Sequence, residues 1–184
     1  MTTDVLLIGA EELENLGTRY LAAVLREHGF RVELASFSAA AEQDAVLWHT
    51  CLVRPRVIGL SVIFQYRAPE FLELATRLRD LQPGAHITAG GHFPTFAADA
   101  LLHDYPVLDS VVRGEGEFTL LELAGRIDTP ADWGRIPGLS FRDRVKVANR
   151  VSSRPSAVGD RARRRTQGGS RADRGLRWSR ERLP

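Results

Sequence analysis

The chain has 184 residues, enough for one domain with a sizeable core and too few for two full ones. One cysteine, Cys51, excludes a disulfide framework, a cysteine-rich zinc site and any iron–sulfur cluster held by this chain alone. The net charge of +2 conceals a split, because residues 151–184 hold ten arginines against Asp160, Asp173 and Glu181, a balance of +7 that leaves residues 1–150 at −5.

That split sets the expected organisation: a folded domain over residues 1–150 and a disordered Arg-rich tail over 151–184. The tail has almost no apolar periodicity with which to offset the entropy of ordering. Clustered arginine suits nucleic acid or an acidic membrane. A spurious or truncated end, such as a shifted coding frame, weighs more heavily, so neither is an expected partner. No apolar run approaches membrane-spanning length and MTTDVLLIG lacks a basic leader, so the chain reads as cytoplasmic.

In chain order, residues 4–8 are a short apolar run, and residues 15–28 follow with Leu16, Tyr20, Leu21, Val24 and Leu25 at helical spacing before Gly29, a C-cap glycine. FRVELAS alternates as a second strand. Residues 39–53 pattern as a helix ending before Pro55. VIGLSV, residues 57–62, lacks polar alternation, as a strand buried on both faces should. Pro69 opens a third helix whose stripe is Phe71, Leu72, Ala75, Leu78 and Leu81. Residues 86–89 predict a fourth strand ended by Gly90 and Gly91, 97–103 a short helix, 110–113 a fifth strand and 118–126 a fifth helix. Residues 139–142 and 145–147, flanking Asp143 and Arg144, predict an edge hairpin. Five alternations of strand and helix imply an α/β fold: a doubly wound, flavodoxin-like (Rossmann-like) five-stranded parallel sheet of order 2-1-3-4-5 with helices on both faces.

In such a sheet the ligand sits at the carboxyl ends of the strands. Four loops converge there: residues 9–17, 61–67, 90–96 and 113–117. The first, GAEELENLG, has Gly9 followed by Glu11, Glu12 and Glu14. A dinucleotide or flavin phosphate needs a glycine-rich turn facing a helix N-terminus, and these carboxylates would repel it. A phospho-acceptor domain needs an aspartate where Ser61 stands. No nucleophile is paired with a base, so hydrolytic and phosphoryl-transfer chemistry find no support.

Taken together, VLLIG, LGTRYLAAVLREHGFRVEL, VIGLSV, ITAGGHFPTF, DSVVRGEGEFTLLELA and IPGLSF resemble the N-terminal cobalamin (vitamin B12)-binding domain of cobalamin-dependent radical S-adenosylmethionine enzymes, across roughly residues 4–142. That family's signature reads Asp-x-His-x-x-Gly, Ser-x-Leu, Gly-Gly. Residues 12–17 occupy the first part, with Glu14 where the cobalt-ligating histidine would stand; Ser61-Val62-Ile63 nearly matches the second and Gly90-Gly91 the third. The resemblance implies a cofactor bound base-off with no histidine ligand, its corrin over an acidic first loop and its benzimidazole tail in a slot walled by small residues. It assigns cofactor contact to Gly9, Glu12, Glu14, Asn15, Leu16 and Gly17, to Ser61, Val62, Ile63 and Gln65, to Gly90, Gly91 and His92, and to Arg113, Gly114, Glu115 and Glu117. No protein residue is expected to ligate a metal.

The family's four-iron four-sulfur cluster and S-adenosylmethionine need a C-x-x-x-C-x-x-C motif on a following barrel, absent here. The chain is therefore expected to act as the cobalamin-binding module of a radical-type methyltransferase or related enzyme, with a barrel domain or protein as partner and no catalysis of its own. The alternative is a flavodoxin-like sensing or partner-binding domain that no longer binds cobalamin. Residue by residue, plainer readings stand alongside: a strand exit for the glycine pair, a core hydroxyl for Ser61, a solvated helix start for the glutamates, structural or exposed roles for His28, His49, His86 and His103, and a buried apolar role for Cys51.

Overall fold

Apolar runs of three to five residues become the parallel strands of a computed structural model that describes residues 3–10, 16–142 and 147–149. They are β1 (Val5–Gly9), β2 (Val32–Ser36), β3 (Val57–Ser61), β4 (His86–Gly90) and β5 (Ser110–Val112), joined by α1 (Leu16–Glu27), α2 (Gln43–Val53), α3 (Ala68–Leu81) and α4 (His92–Asp104). After β5 come α5 (Glu117–Gly125), then β6 (Leu139–Arg142) and β7 (Val147–Asn149). The sheet order is β2-β1-β3-β4-β5-β6-β7. The first five pair in parallel, in the order the alternation implies, and β6 and β7 continue the same sheet antiparallel. The five expected parallel strands are all present, and the hairpin brings the sheet to seven. The expected hairpin forms with its second strand shifted from residues 145–147 to Val147–Asn149.

Two helix starts differ from the pattern, and one residue of a helical stripe lies outside the core. The second helix begins as a tight 3-10 turn, Ala40–Glu42, in which the Glu42 carboxylate accepts the Ser38 N–H at 2.7 Å. Leu81, the last residue of the third-helix stripe, is exposed, while Phe71, Leu74, Ala75 and Leu78 are buried. The fourth helix starts at His92, five residues before the expected position. Gly91, at φ +105°, turns the chain directly from strand to helix, and Pro94 falls in the first turn, where a missing N–H leaves no bond unmade. Cys51 is only half-buried, and His86 is the one buried histidine.

Two cores flank the sheet. On one face Leu6, Ile8, Ile58, Leu60, Ile87 and Val111 pack against α2, α3 and α4, with Phe37 and Phe71 edge to face at 5.0 Å. On the other, Val5, Leu7, Val57 and Val112 meet Ala22 and Leu25 of α1 and Leu120 and Leu123 of α5. Arg67, buried, donates to the carbonyls of Ser38 and Phe37, tying the chain after β2 to the start of α3. No helix among the described residues is long and apolar enough to cross a membrane. The expected Arg-rich tail, residues 151–184, lies outside the described residues.

Candidate functional site

Successive strand residues point to opposite faces, so each central strand can be split into two sets. The face toward α2, α3 and α4 takes Ile58 and Leu60 from β3 and Ile87 and Ala89 from β4, and is closely packed, with a gap of only about 10 Å³ beside Leu60 and Ala89. The face toward α1 and α5 takes Val57, Gly59 and Ser61, then His86, Thr88 and Gly90. Strand register stacks these in layers: Leu7, Gly59 and Thr88 are neighbours, and one step nearer the carboxyl edge are Gly9, Ser61, Gly90 and Val112. Side-chain volume is missing from the middle of this face. The result is a cleft of about 230 Å³ between the sheet and helices α1 and α5, opening at the carboxyl ends of the strands.

The glycines keep it open for local reasons. A Cβ on Gly59 would lie 2.8 Å from Leu7 Cδ2, and one on Gly90 would face the Val112 carbonyl at 3.4 Å. Gly91 is different: with its positive φ, a Cβ would sit 2.9 Å from the Val62 carbonyl oxygen, so that position is fixed by backbone crowding. The far wall comes from the loop after β5, where Gly114 and Gly116 both take positive φ and Gly116 caps α5. Thr95 joins the two walls: its hydroxyl donates to the Gly91 carbonyl at 2.8 Å and accepts the Gly114 N–H at 3.0 Å.

Of the residues singled out in the sequence, Gly17, Ser61, Ile63, Gly90, Gly91, Gly114, Glu115 and Glu117 line this cleft. Others stand apart from it. Gly9 ends β1 beside Ser36 and Ser61; Val62 is buried in the opposite core. Leu16 and Gln65 are exposed at the starts of their helical turns, and His92 opens α4 with its ring against Phe96 at 5.1 Å. Arg113 is half-buried, and its backbone N–H bonds the Gly138 carbonyl. Glu12, Glu14 and Asn15 lie outside the described residues. The cleft also uses residues that the motifs do not mark: Gly59, Thr88 and Val112 from the sheet, Thr18 and Leu21 from α1, and Gly116 and Leu120 around α5.

Two polar features adjoin the cleft. Below Thr88, a buried chain of hydrogen bonds links Ser110 Oγ to Thr88 Oγ1 at 2.8 Å and His86 Nε2 to Ser110 Oγ at 2.8 Å. Beyond it, Asp109 accepts the Ile87 N–H at 2.7 Å and pairs with Arg79 at 2.5 Å. Burial holds the His86 imidazole down to about 4; Asp109 opposes that shift and Arg79 adds to it. At the mouth, burial pushes the Glu117 carboxyl up, its own backbone N–H opposes this, and Glu115 adds to it. Among the described residues no cluster of histidine, cysteine or carboxylate could hold a metal ion.

The comparisons with known proteins agree on one family. The B12 binding domain matches residues 4–124. The hopanoid C-3 methylase of Methylococcus capsulatus is 30% identical over 128 residues, covering 69% of this chain and 25% of the relative. The anaerobic magnesium-protoporphyrin IX monomethyl ester cyclase of Synechocystis sp. is 29% identical over 138 residues, covering 73% and 28%. Among solved structures, the cobalamin-dependent S-adenosylmethionine radical enzyme OxsB, with aqua-cobalamin and S-adenosylmethionine bound, superposes with a TM-score of 0.70 at 26% identity over 84% of this chain and 23% of its own. The radical S-adenosylmethionine methyltransferase TsrM from Kitasatospora setae shares the fold, with a TM-score of 0.70 at 22% identity, covering 84% of this chain and 31% of TsrM. The chain thus spans less than a third of the length of these relatives. With the family matched over most of the chain and an open cleft where a doubly wound sheet takes its ligand, the chain belongs to the B12-binding domain family, and its cofactor is cobalamin.

Proposed function

We propose that the cleft between the sheet and helices α1 and α5 receives the benzimidazole tail of cobalamin, and that the chain is the cofactor-holding module of a radical S-adenosylmethionine methyltransferase or a related enzyme. The observation that carries this reading is the asymmetry of the sheet: one face is filled by Leu60, Ile87 and Ala89, the other is emptied by Gly59 and Gly90. A flat heteroaromatic ring fits such a gap, and the neighbouring Leu7, Leu21 and Leu120 give it apolar surroundings. Cobalamin supplies a cobalt centre that carries a methyl group. The chain's own residues hold the cofactor: the small residues take the tail, and Glu115, Glu117 and the glutamates of residues 11–14 accept hydrogen bonds from amide N–H groups at the corrin edge.

Glu14 stands where a ligating histidine would be, so the cofactor binds base-off with no histidine on cobalt, and the module works beside a barrel domain that brings the cluster and S-adenosylmethionine. Hydroxocobalamin mixed with the purified protein should remain bound through desalting. After reduction to cob(II)alamin, its electron paramagnetic resonance lines should show no triplet nitrogen splitting. A triplet would reject the base-off, histidine-free state, and loss of all cofactor on desalting would favour a domain that has kept the fold alone.

A further inference from the structure

The lower end of the cleft also bears on which cobamide it takes, an inference that rests on the tail-binding reading above. Thr88 lines the cleft one layer below Ser61 and Gly90, about 7 Å deeper along the strand. Its hydroxyl donates to the Ser110 carbonyl at 3.2 Å and accepts from Ser110 Oγ at 2.8 Å. With the Ser110 hydrogen committed to Thr88, the 2.8 Å contact between Ser110 Oγ and His86 Nε2 requires the imidazole to be the donor. Burial keeps His86 neutral, and its ring is held edge to face against Trp133 at 4.8 Å. Thr88, Ser110 and His86 are thus a closed relay in which every hydrogen is already placed. The other neighbours at that depth, Leu7, Gly59 and Leu120, offer no side-chain donor.

The mouth differs. Ser61 lines the cleft and its hydroxyl makes no hydrogen bond to any described residue. Thr18, the other hydroxyl of the lining, belongs to the first turn of α1 at that same end, so the cleft runs from hydroxyls at its rim to a floor with no free side-chain donor. We infer that this gradient selects cobamides whose lower base is a benzimidazole over those whose lower base is a purine. A benzimidazole off cobalt has a single ring nitrogen that seeks a donor, on its five-membered ring, and a hydrocarbon edge on the other. A purine carries ring nitrogens and an exocyclic amine on the edge that must go deep, and burying acceptors without partners is unfavourable. The relay is a specificity device. By engaging the Thr88 and Ser110 hydroxyls with each other it denies them to the ligand.

Equilibrium dialysis of the purified chain against cobalamin, its adenine-bearing analogue and cobinamide, which has no lower base, tests this. Cobalamin should bind at least tenfold tighter than the adenine analogue, and cobinamide should be weaker than cobalamin. Equal affinity for cobalamin and the adenine analogue, with cobinamide weaker, overturns base selection while leaving the tail slot intact. Equal affinity for all three overturns the slot itself. Thr88→Ala removes the acceptor that engages the Ser110 hydroxyl and should narrow the preference for cobalamin over the adenine analogue at least threefold. An unchanged preference in that variant would mean that the relay does not set base selection.

Discussion

His86 gives the sharpest quantitative expectation, because a neutral imidazole buried beside Ser110 and Trp133 links stability to pH. Its proton affinity falls from the ordinary 6.5 to about 4, through burial first, with Asp109 opposing and Arg79 adding. Between those values the unfolded chain binds the proton and the folded chain does not, so stability is fully present above pH 6.5 and is lost as pH falls toward 4. At about 1.4 kcal/mol per tenfold change in proton affinity the whole effect is ~3 kcal/mol, of which about 2 kcal/mol is gone by pH 5. His86→Gln keeps an N–H donor for Ser110 and cannot be protonated, while every other titrating group is shared with the parent. Urea unfolding followed by tryptophan fluorescence at pH 8, 6.5 and 5 should show the parent losing about 2 kcal/mol more than the variant over that range. Parallel curves would mean that the imidazole is already charged or reaches water in the folded state, and the relay below Thr88 would have to be redrawn.

Three further outcomes follow from the cleft walls. Gly90→Leu places a branched side chain into the gap from an extended backbone that tolerates it, so cobalamin affinity should fall at least tenfold with thermal stability little changed; calorimetric titration measures the first and a melting curve the second. Gly91 is unsuited to that test, since any side chain there is strained against the Val62 carbonyl. Thr95→Val removes the hydroxyl that joins Gly91 to Gly114 and should cost about 1 kcal/mol of stability and weaken cobalamin several-fold, read from denaturant and binding curves. The raised Glu117 carboxyl contributes stability below its ordinary 4.5 that is lost as pH rises through the folded value. Glu117→Gln should therefore raise the melting temperature at pH 7.5, with the gain shrinking toward pH 4.5.

The parallel order of β1 to β5 is legible because each strand is a buried apolar run and each helix has its own stripe, which leaves right-handed crossovers little choice. The loops at the carboxyl edge then follow from topology alone. The depth of the site does not. Gly59 sits inside VIGLSV and reads as one more apolar position, although a glycine within a central strand is itself a sign of close approach from above. A second signal lies in β4, where His86, Thr88 and Gly90 alternate with Ile87 and Ala89 in a strand that should be apolar on both faces. Read at period two, β3 and β4 separate a packed side from an emptied one. The early start of α4 is hidden for the opposite reason: Gly90, Gly91 and Pro94 have the composition of a turn, and only the positive φ of Gly91 lets the helix begin at once.

An emptied sheet face forgoes packing that a closed core would keep, roughly 1 kcal/mol for each methyl-sized gap. The fold can bear this because the loss is confined to one end of one face. Beside and beneath Thr88 the same face is closed by Ser110, Val57 and His86, all buried, and across the sheet the opposite core is continuous from Leu6 to Val111. Polar residues do the closing under the cleft, and they can do so only because each hydroxyl and the imidazole find partners among themselves. Replacing that floor with leucine would raise it into the cleft, whereas replacing it with free hydroxyls would fill the cleft with water. A sealed polar relay stays low and stays dry, and the proposed seat for an aromatic ring needs both.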